Sequence, residues 1–210
     1  MGRRFVFRQK TEEEKRNIKV DVKRLPEWKK ELENIQKEFE SFNLQYVKNA
    51  ISNLDKASIK IGYGGICRPR HIDDISSYVE KLSYSDLALS AEYGLLSDQS
   101  FNLDRLKMPQ LIRSRAAEAA ENLRVAQKKG VSSGGFWSIF DVKETRYNFE
   151  RYVEEKNEFE SHLSIIPIID KSNRLLDEVL NLSKKHQPRL SFLRSKIWDA
   201  EEKLAAIKRF

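Results

Sequence analysis

Residues 26–54 read PEWKKELENIQKEFESFNLQYVKNAISNL. Apolar side chains recur here as Trp28, Leu32, Ile35, Phe39, Phe42 and Tyr46, at steps of 4, 3, 4, 3 and 4. Such steps return to one side of a helix with 3.6 residues per turn. Val47, Ile51 and Leu54 carry an apolar face onward. Pro26 suits a first helical turn, where its missing N–H costs nothing. The stretch predicts one helix with a coiled-coil-like seam, starting at Pro26. Three aromatics in the seam favour a wider bundle over a regular two-stranded zipper.

The far end of the chain shows the same pattern. After Pro188, Leu190, Leu193, Ile197, Ala200, Leu204 and Ile207 step by 3, 4, 3, 4 and 3. The pattern is still running at Phe210, so this helix is expected either to dock on the body or to belong to a longer chain. Pro109 is expected to open a helix through Ile112, Ala116, Ala119, Leu123 and Ala126, which Gly130 stops. Asp141 and Glu144 suit the start of another, with Phe149, Tyr152, Val153, Phe159 and Leu163 on one side. Pro167 is expected to break or kink it before a further helix through Leu176, Val179 and Leu180.

Shorter elements lie between. Ile18, Val20 and Val22 alternate with polar residues, a strand pattern that the Phe5–Phe7 run can pair with. Gly62, Gly64, Gly65 and Pro69 end helicity, and Ile59 and Ile61 can add a short strand. Ile72, Ile75, Val79 and Leu82 mark a short helix with Asp73 and Asp74 in its first turn. Ser85 is expected to cap another, through Leu87, Leu89 and Tyr93, stopped at Gly94.

These readings define an all-α fold of long antiparallel amphipathic helices with short helices between them. A small β-ribbon near the N-terminus is an optional addition to this fold. Three regions follow: a basic arm or ribbon at 1–25, a helical region at 26–130 with its Gly-rich loop at 62–70, and a helical region at 136–210. The last two can form one continuous bundle.

Of 210 residues, 34% are charged and 40% hydrophobic, a balance that suits long helices with much solvated face. The lone cysteine, Cys67, excludes an intrachain disulfide. No run approaches the 18 apolar residues or so of a membrane span, and the cytoplasm is the default compartment. The net charge of +7 is uneven. Residues 1–30 hold 11 basic and 5 acidic side chains, and residues 171–210 hold 10 and 5, while the middle is mildly acidic. Basic ends suit a polyanion. The ordinary reading is solvation of Lys-rich helix faces.

Candidate sites are few. Cys67 and His71 form a C-x3-H pair, but zinc needs about four ligands and His162 and His186 stand elsewhere. Gly62–Gly65 with Arg68 and Arg70 can cradle a phosphate through freed N–H groups and a guanidinium clamp, yet it lacks the spacing of a nucleotide loop. Arg113, Arg124 and Lys128 share one broad helical sector while Arg115 points elsewhere. Arg3, Arg4 and Arg8 surround Phe5 and Phe7, a mixture that suits single-stranded nucleic acid. Lys184, Lys185 and Arg189, with Arg194 and Lys196, can line a groove. Paired carboxylates such as Glu154 and Glu155 lie on amphipathic segments, so no acid–base centre, metal or cofactor is expected.

The leading expectation is therefore a non-catalytic helical assembly module with a protein partner or a second copy of itself. A nucleic-acid-binding subunit contacting phosphates is second. A membrane-perturbing protein, using Ile165–Ile169 and the FWSIF run at 136–140, is third.

Overall fold

The computed structural model describes residues 12–63, 74–132 and 141–208, and every regular element among them is helical. Helix α1 is Glu12–Phe39, α2 is Leu44–Lys60, α3 is Ile75–Lys81 and α4 is Tyr84–Ala88. A 3-10 turn, Leu95–Ser97, leads to α5, Gln99–Ser132, and α6 runs from Asp141 to Lys208. At 68 residues, α6 is about 100 Å long at 1.5 Å per residue.

The long helices are longer than their prolines suggest. Pro26 lies inside α1, Pro109 inside α5, and Pro167 and Pro188 both inside α6. Each proline removes an i→i−4 hydrogen bond, at about 3 kcal/mol. Packing on both sides offsets this: Leu25 and Trp28 flank Pro26, and Met108 and Ile112 flank Pro109, all buried. Helix continuity in proteins rests mostly on such tertiary burial. The expectations that Pro26 and Pro109 open helices, and that a break stands at Pro167 or Pro188, are thus corrected.

The strand reading is corrected too. Residues 17–22 are helical. Val22 and Leu25 step by 3 and 3 into Trp28, so the α1 stripe begins before Pro26. The Phe5–Phe7 run lies outside the described residues. Ile59 is in α2 and Ile61 caps it, so neither is in a strand.

The helix expected to run unbroken from Pro26 instead stops at Phe39 and restarts at Leu44. Ser41 Oγ donates to the Glu38 carbonyl at 2.7 Å, and Asn43 Oδ1 accepts from the Gln45 and Tyr46 amides at 3.0 and 3.3 Å. This is an N-cap, and it rotates the following residues. Tyr46 leaves the seam and is 65% exposed, Phe42 is only partly buried, and Val47, Ala50, Ile51 and Leu54 take up the core.

Helix α2 ends in a Schellman arrangement. Tyr63 N donates to Ser58 O and Gly62 N to Ile59 O, with Gly62 at φ +71°. Helix α3 is capped by Asp74. The cap of α4 is Ser83 rather than Ser85: Ser83 N donates to Asp86 Oδ2 at 2.8 Å, and Asp86 N donates to Ser83 Oγ. Reciprocal bonding with an acid three residues on makes Ser83 the better cap. Helix α4 ends at Ala88, short of the expected Tyr93. Helix α5 starts ten residues before Pro109, where Phe101 N donates to Asp98 Oδ1 at 2.8 Å.

Helix α6 is the element against which α1, α2, α4 and α5 lie. Asp21 pairs with Lys203, Glu31 with Arg189 and Glu38 with His186, in reverse order along α1 and α6. Arg105 pairs with Asp177 and Arg113 with Asp170, again in reverse order. Between these two stretches the buried Ser183 hydroxyl donates to Ala88 O and accepts from Ala91 N, pinning the end of α4. The core gathers Trp28, Ile35, Phe39, Leu54, Phe101, Ile112, Ile169, Leu176, Leu190 and Leu193.

Candidate interaction surfaces

Beyond Ile112 on α5 and before Ile165 on α6 the core of large side chains stops. The described positions buried in this stretch are Ala116, Ala119, Ala126 and His162. Alanines let two helices approach closely, since interaxial distance follows the side chains at the contact. The pair continues as a two-helix arm, with residues 113–132 of α5 rising about 30 Å.

The arm does not bury all its apolar side chains. Tyr152 and Phe159 are half-buried, but Phe149, Val153 and Leu163 are exposed, Phe149 to 64%. The single apolar side expected for this helix is thus divided. Phe149 and Val153 are four residues apart and share a face. Lys156 and Glu160, 3.9 Å apart, continue the same stripe.

A second surface lies where the chain after α4 meets α6. Tyr93 and Trp198, both more than 60% exposed, border a groove of about 560 Å³ with Leu32 and Ile197 in its lining. The Arg194 guanidinium carbon sits 5.8 Å from the Tyr93 ring centre, and that of Arg189 sits 4.8 Å from Phe192. Both are within cation–π range. Glu92 accepts from Ser191 Oγ at 2.9 Å, and Glu201 pairs with Lys29 at 2.6 Å. The hydrogen bond and charge of Glu92 push the Tyr93 phenol upward.

Among the described residues, five of the cations singled out from the sequence have carboxylate partners. Arg189 grips Glu31 with two bonds of 2.6 Å, which holds the Glu31 carboxyl below its usual range. Lys185 is 3.5 Å from Glu38, Arg113 is 3.3 Å from Asp170, and Arg124 donates twice to Glu121 at 2.7 and 2.9 Å. Arg115 pairs with Glu118 on its own helix. Lys128 and Lys184 are exposed, on the arm and on α6. Arg3, Arg4, Arg8, Cys67, Arg68, Arg70 and His71 lie outside the described residues.

The seam residues fare differently. Trp28, Ile35, Phe39, Leu190 and Leu193 are buried, and Leu32 and Ile197 pack on the same core. Leu204 is half-buried, and the Ile207 side chain is outside the described set. The sequence reading passed over Trp198 and took Tyr93 only as part of a short helix. A tryptophan immediately after seam residue Ile197 falls off the buried stripe, and that offset was the available signal.

Among the described residues, no cluster of His, Cys, Asp and Glu is suited to a metal ion, and no helix is long and apolar enough to cross a membrane. Comparison with known protein families, curated proteins and solved structures finds no match.

Proposed function

We propose that this chain is a non-catalytic assembly module, an antiparallel helical bundle that pairs with a second copy of itself through the α5–α6 arm. The observation that carries the reading is the outward stripe of Phe149 and Val153, two large apolar side chains left exposed on a helix where Tyr152 and Phe159 are half-buried. Buried aromatics dominate interface energetics. The stripe also carries Lys156 and Glu160, one charge of each sign. A patch of that kind complements its own copy about a two-fold axis, where each lysine can meet the other protomer's glutamate.

Sedimentation velocity over a hundredfold concentration range tests this. The protein is expected to shift from monomer to dimer as concentration rises, and Phe149→Ser/Val153→Ser is expected to stay monomeric with an unchanged helical signal. A wild-type protein that sediments as a monomer throughout sinks the self-pairing reading.

A second reading, nucleic-acid binding, is favoured by the row of Arg189 on Phe192, Arg194 on Tyr93 and the exposed Trp198. Aromatic platforms beside guanidinium groups suit single-stranded bases and phosphates. Against it stand Glu31, Glu92 and Glu201, carboxylates on the same side that repel phosphate. Titration into single- and double-stranded DNA and RNA at two salt concentrations separates the readings. Backbone contact gives a log–log salt slope near −0.7 per phosphate on single strands. A pairing module gives no such slope.

A further inference from the structure

At the root of the arm, where the end of α2 meets α5 and α6, lies a polar cavity of about 240 Å³. That is the share of about eight waters at roughly 30 Å³ each, and it falls below the usual range for drug-sized ligands. Its lining includes Lys60 from α2, Arg115, Glu118 and Asn122 from α5, and Glu158 and His162 from α6. Three helices far apart in sequence therefore bring six polar or charged side chains to one small space.

The charges are balanced. Lys60 and Arg115 face Glu118 and Glu158, and with a neutral imidazole the formal sum is zero. A free anion entering here meets two carboxylates, and a free cation meets two cations. A molecule carrying both groups finds an opposite charge for each.

Hydrogen-bonding capacity also remains. The Lys60 ammonium has three donors and gives one to Ser161 Oγ, while the Arg115 guanidinium has five and gives one to Glu118 at 2.8 Å. His162 is only 3% exposed, its Nε2 sits 3.4 Å from Glu158, and its Nδ1 has no hydrogen-bond partner among the described residues. Glu158 thus favours the Nε2–H tautomer of the neutral ring.

We infer that this cavity is a binding site for a small zwitterion of amino-acid type, its carboxylate held by Lys60 and Arg115 and its ammonium by Glu118 and Glu158. The site is independent of the pairing stripe at Phe149 and Val153.

The His162 imidazole gives a local readout. Its Hε1 resonance, assigned with a His162→Gln variant, is followed by NMR in the full chain against glycine, sodium acetate, methylammonium chloride and inorganic phosphate. Glycine is expected to shift it saturably, while acetate and methylammonium at equal concentration are not. Lys60→Met and Glu158→Gln, both at exposed positions, are expected to keep the wild-type circular dichroism and to weaken glycine binding about tenfold or more, as lost charge-assisted hydrogen bonds do. No saturable shift with glycine overturns the inference. So does saturation by acetate or phosphate alone, or glycine affinity unchanged in both variants.

Discussion

Arg105 Nη2 donates to Asp177 Oδ1 at 2.7 Å across α5 and α6, from a guanidinium that is 2% exposed. The same side chain donates from Nε to Asn102 Oδ1 at 2.9 Å, while Asn173 Nδ2 returns a bond to the Arg105 carbonyl at 2.9 Å. A cation this deep is tolerable only with such partners, because an uncompensated buried charge is costly. The network works in one helical register, so it fixes how α5 and α6 slide against each other.

Removing its parts is expected to show non-additive costs. Asp177→Ala, which leaves the buried guanidinium without its charge partner, should lower unfolding free energy by about 3–5 kcal/mol, and Arg105→Ala, which leaves the half-exposed Asp177 to solvent, by about 1.5–3 kcal/mol. The double variant should cost less than the two together, since one loss makes the other redundant. Urea unfolding of the four proteins measures the coupling. Simple additivity would mean that the pair is held apart in solution.

Two glycines should respond to alanine for different reasons. A Cβ on Gly94 would stand 2.6 Å from the Ser90 Cα, which is backbone and cannot swing aside. Gly94→Ala is expected to cost about 1–3 kcal/mol through overpacking. Gly62 has open space around it but φ at +71°, so Gly62→Ala should cost about 1–2 kcal/mol through the left-handed backbone alone. Thermal melts rank them, and Ser90→Ala should not rescue Gly94→Ala.

Acid should loosen the seam between α1 and α6. The hydrogen bond and charge of Arg189 hold Glu31 below the usual carboxylate range, and the His186 hydrogen bond does the same for Glu38, aided by Lys185. A carboxylate depressed in the folded state contributes stability above its unfolded pKa, and that contribution disappears as pH falls through the folded one. The urea midpoint is therefore expected to drop between neutral pH and pH 3 or so. Glu31→Gln should show a smaller drop, and added salt should narrow the difference because these pairs are exposed.

Asn43→Ala should remove the cap of α2 at a cost of about 1 kcal/mol. Asn43→Asp should restore it, since aspartate caps equally well. Amide hydrogen exchange at Gln45 and Tyr46 reports the local effect. Unchanged protection there would mean that packing alone holds the start of α2.

The same cap marks what the sequence concealed. Phe39, Phe42 and Tyr46 keep helical spacing across a break, so periodicity ran straight through a turn that Ser41 and Asn43 make. The reverse error occurred at Pro26, Pro109, Pro167 and Pro188. There a local penalty was legible, and the burial that outweighs it, contributed by helices whose contacts join positions 57 to 158 residues apart, was not. Trp28, Ile35, Phe39, Leu190 and Leu193 were legible as core because each buries on one helical stripe. The cavity at His162 was hidden because it gathers Lys60, Arg115 and Glu158, whose proximity is a property of three helices packed together.

The pairing of Asp21 with Lys203 joins positions 182 residues apart. A ribosome releases the chain at about 5–20 residues per second, so α1 is made roughly ten to thirty seconds before the stretch of α6 that covers Trp28 and Phe39 exists. For that interval the apolar face of α1 lacks its cover from α6. The α5–α6 pair, joined through a far shorter connection, can close before α1 meets the later part of α6. Folding during synthesis can therefore close the α5–α6 pair before α1 finds its cover on α6, and until then the apolar stripe of α1 is open to wrong partners.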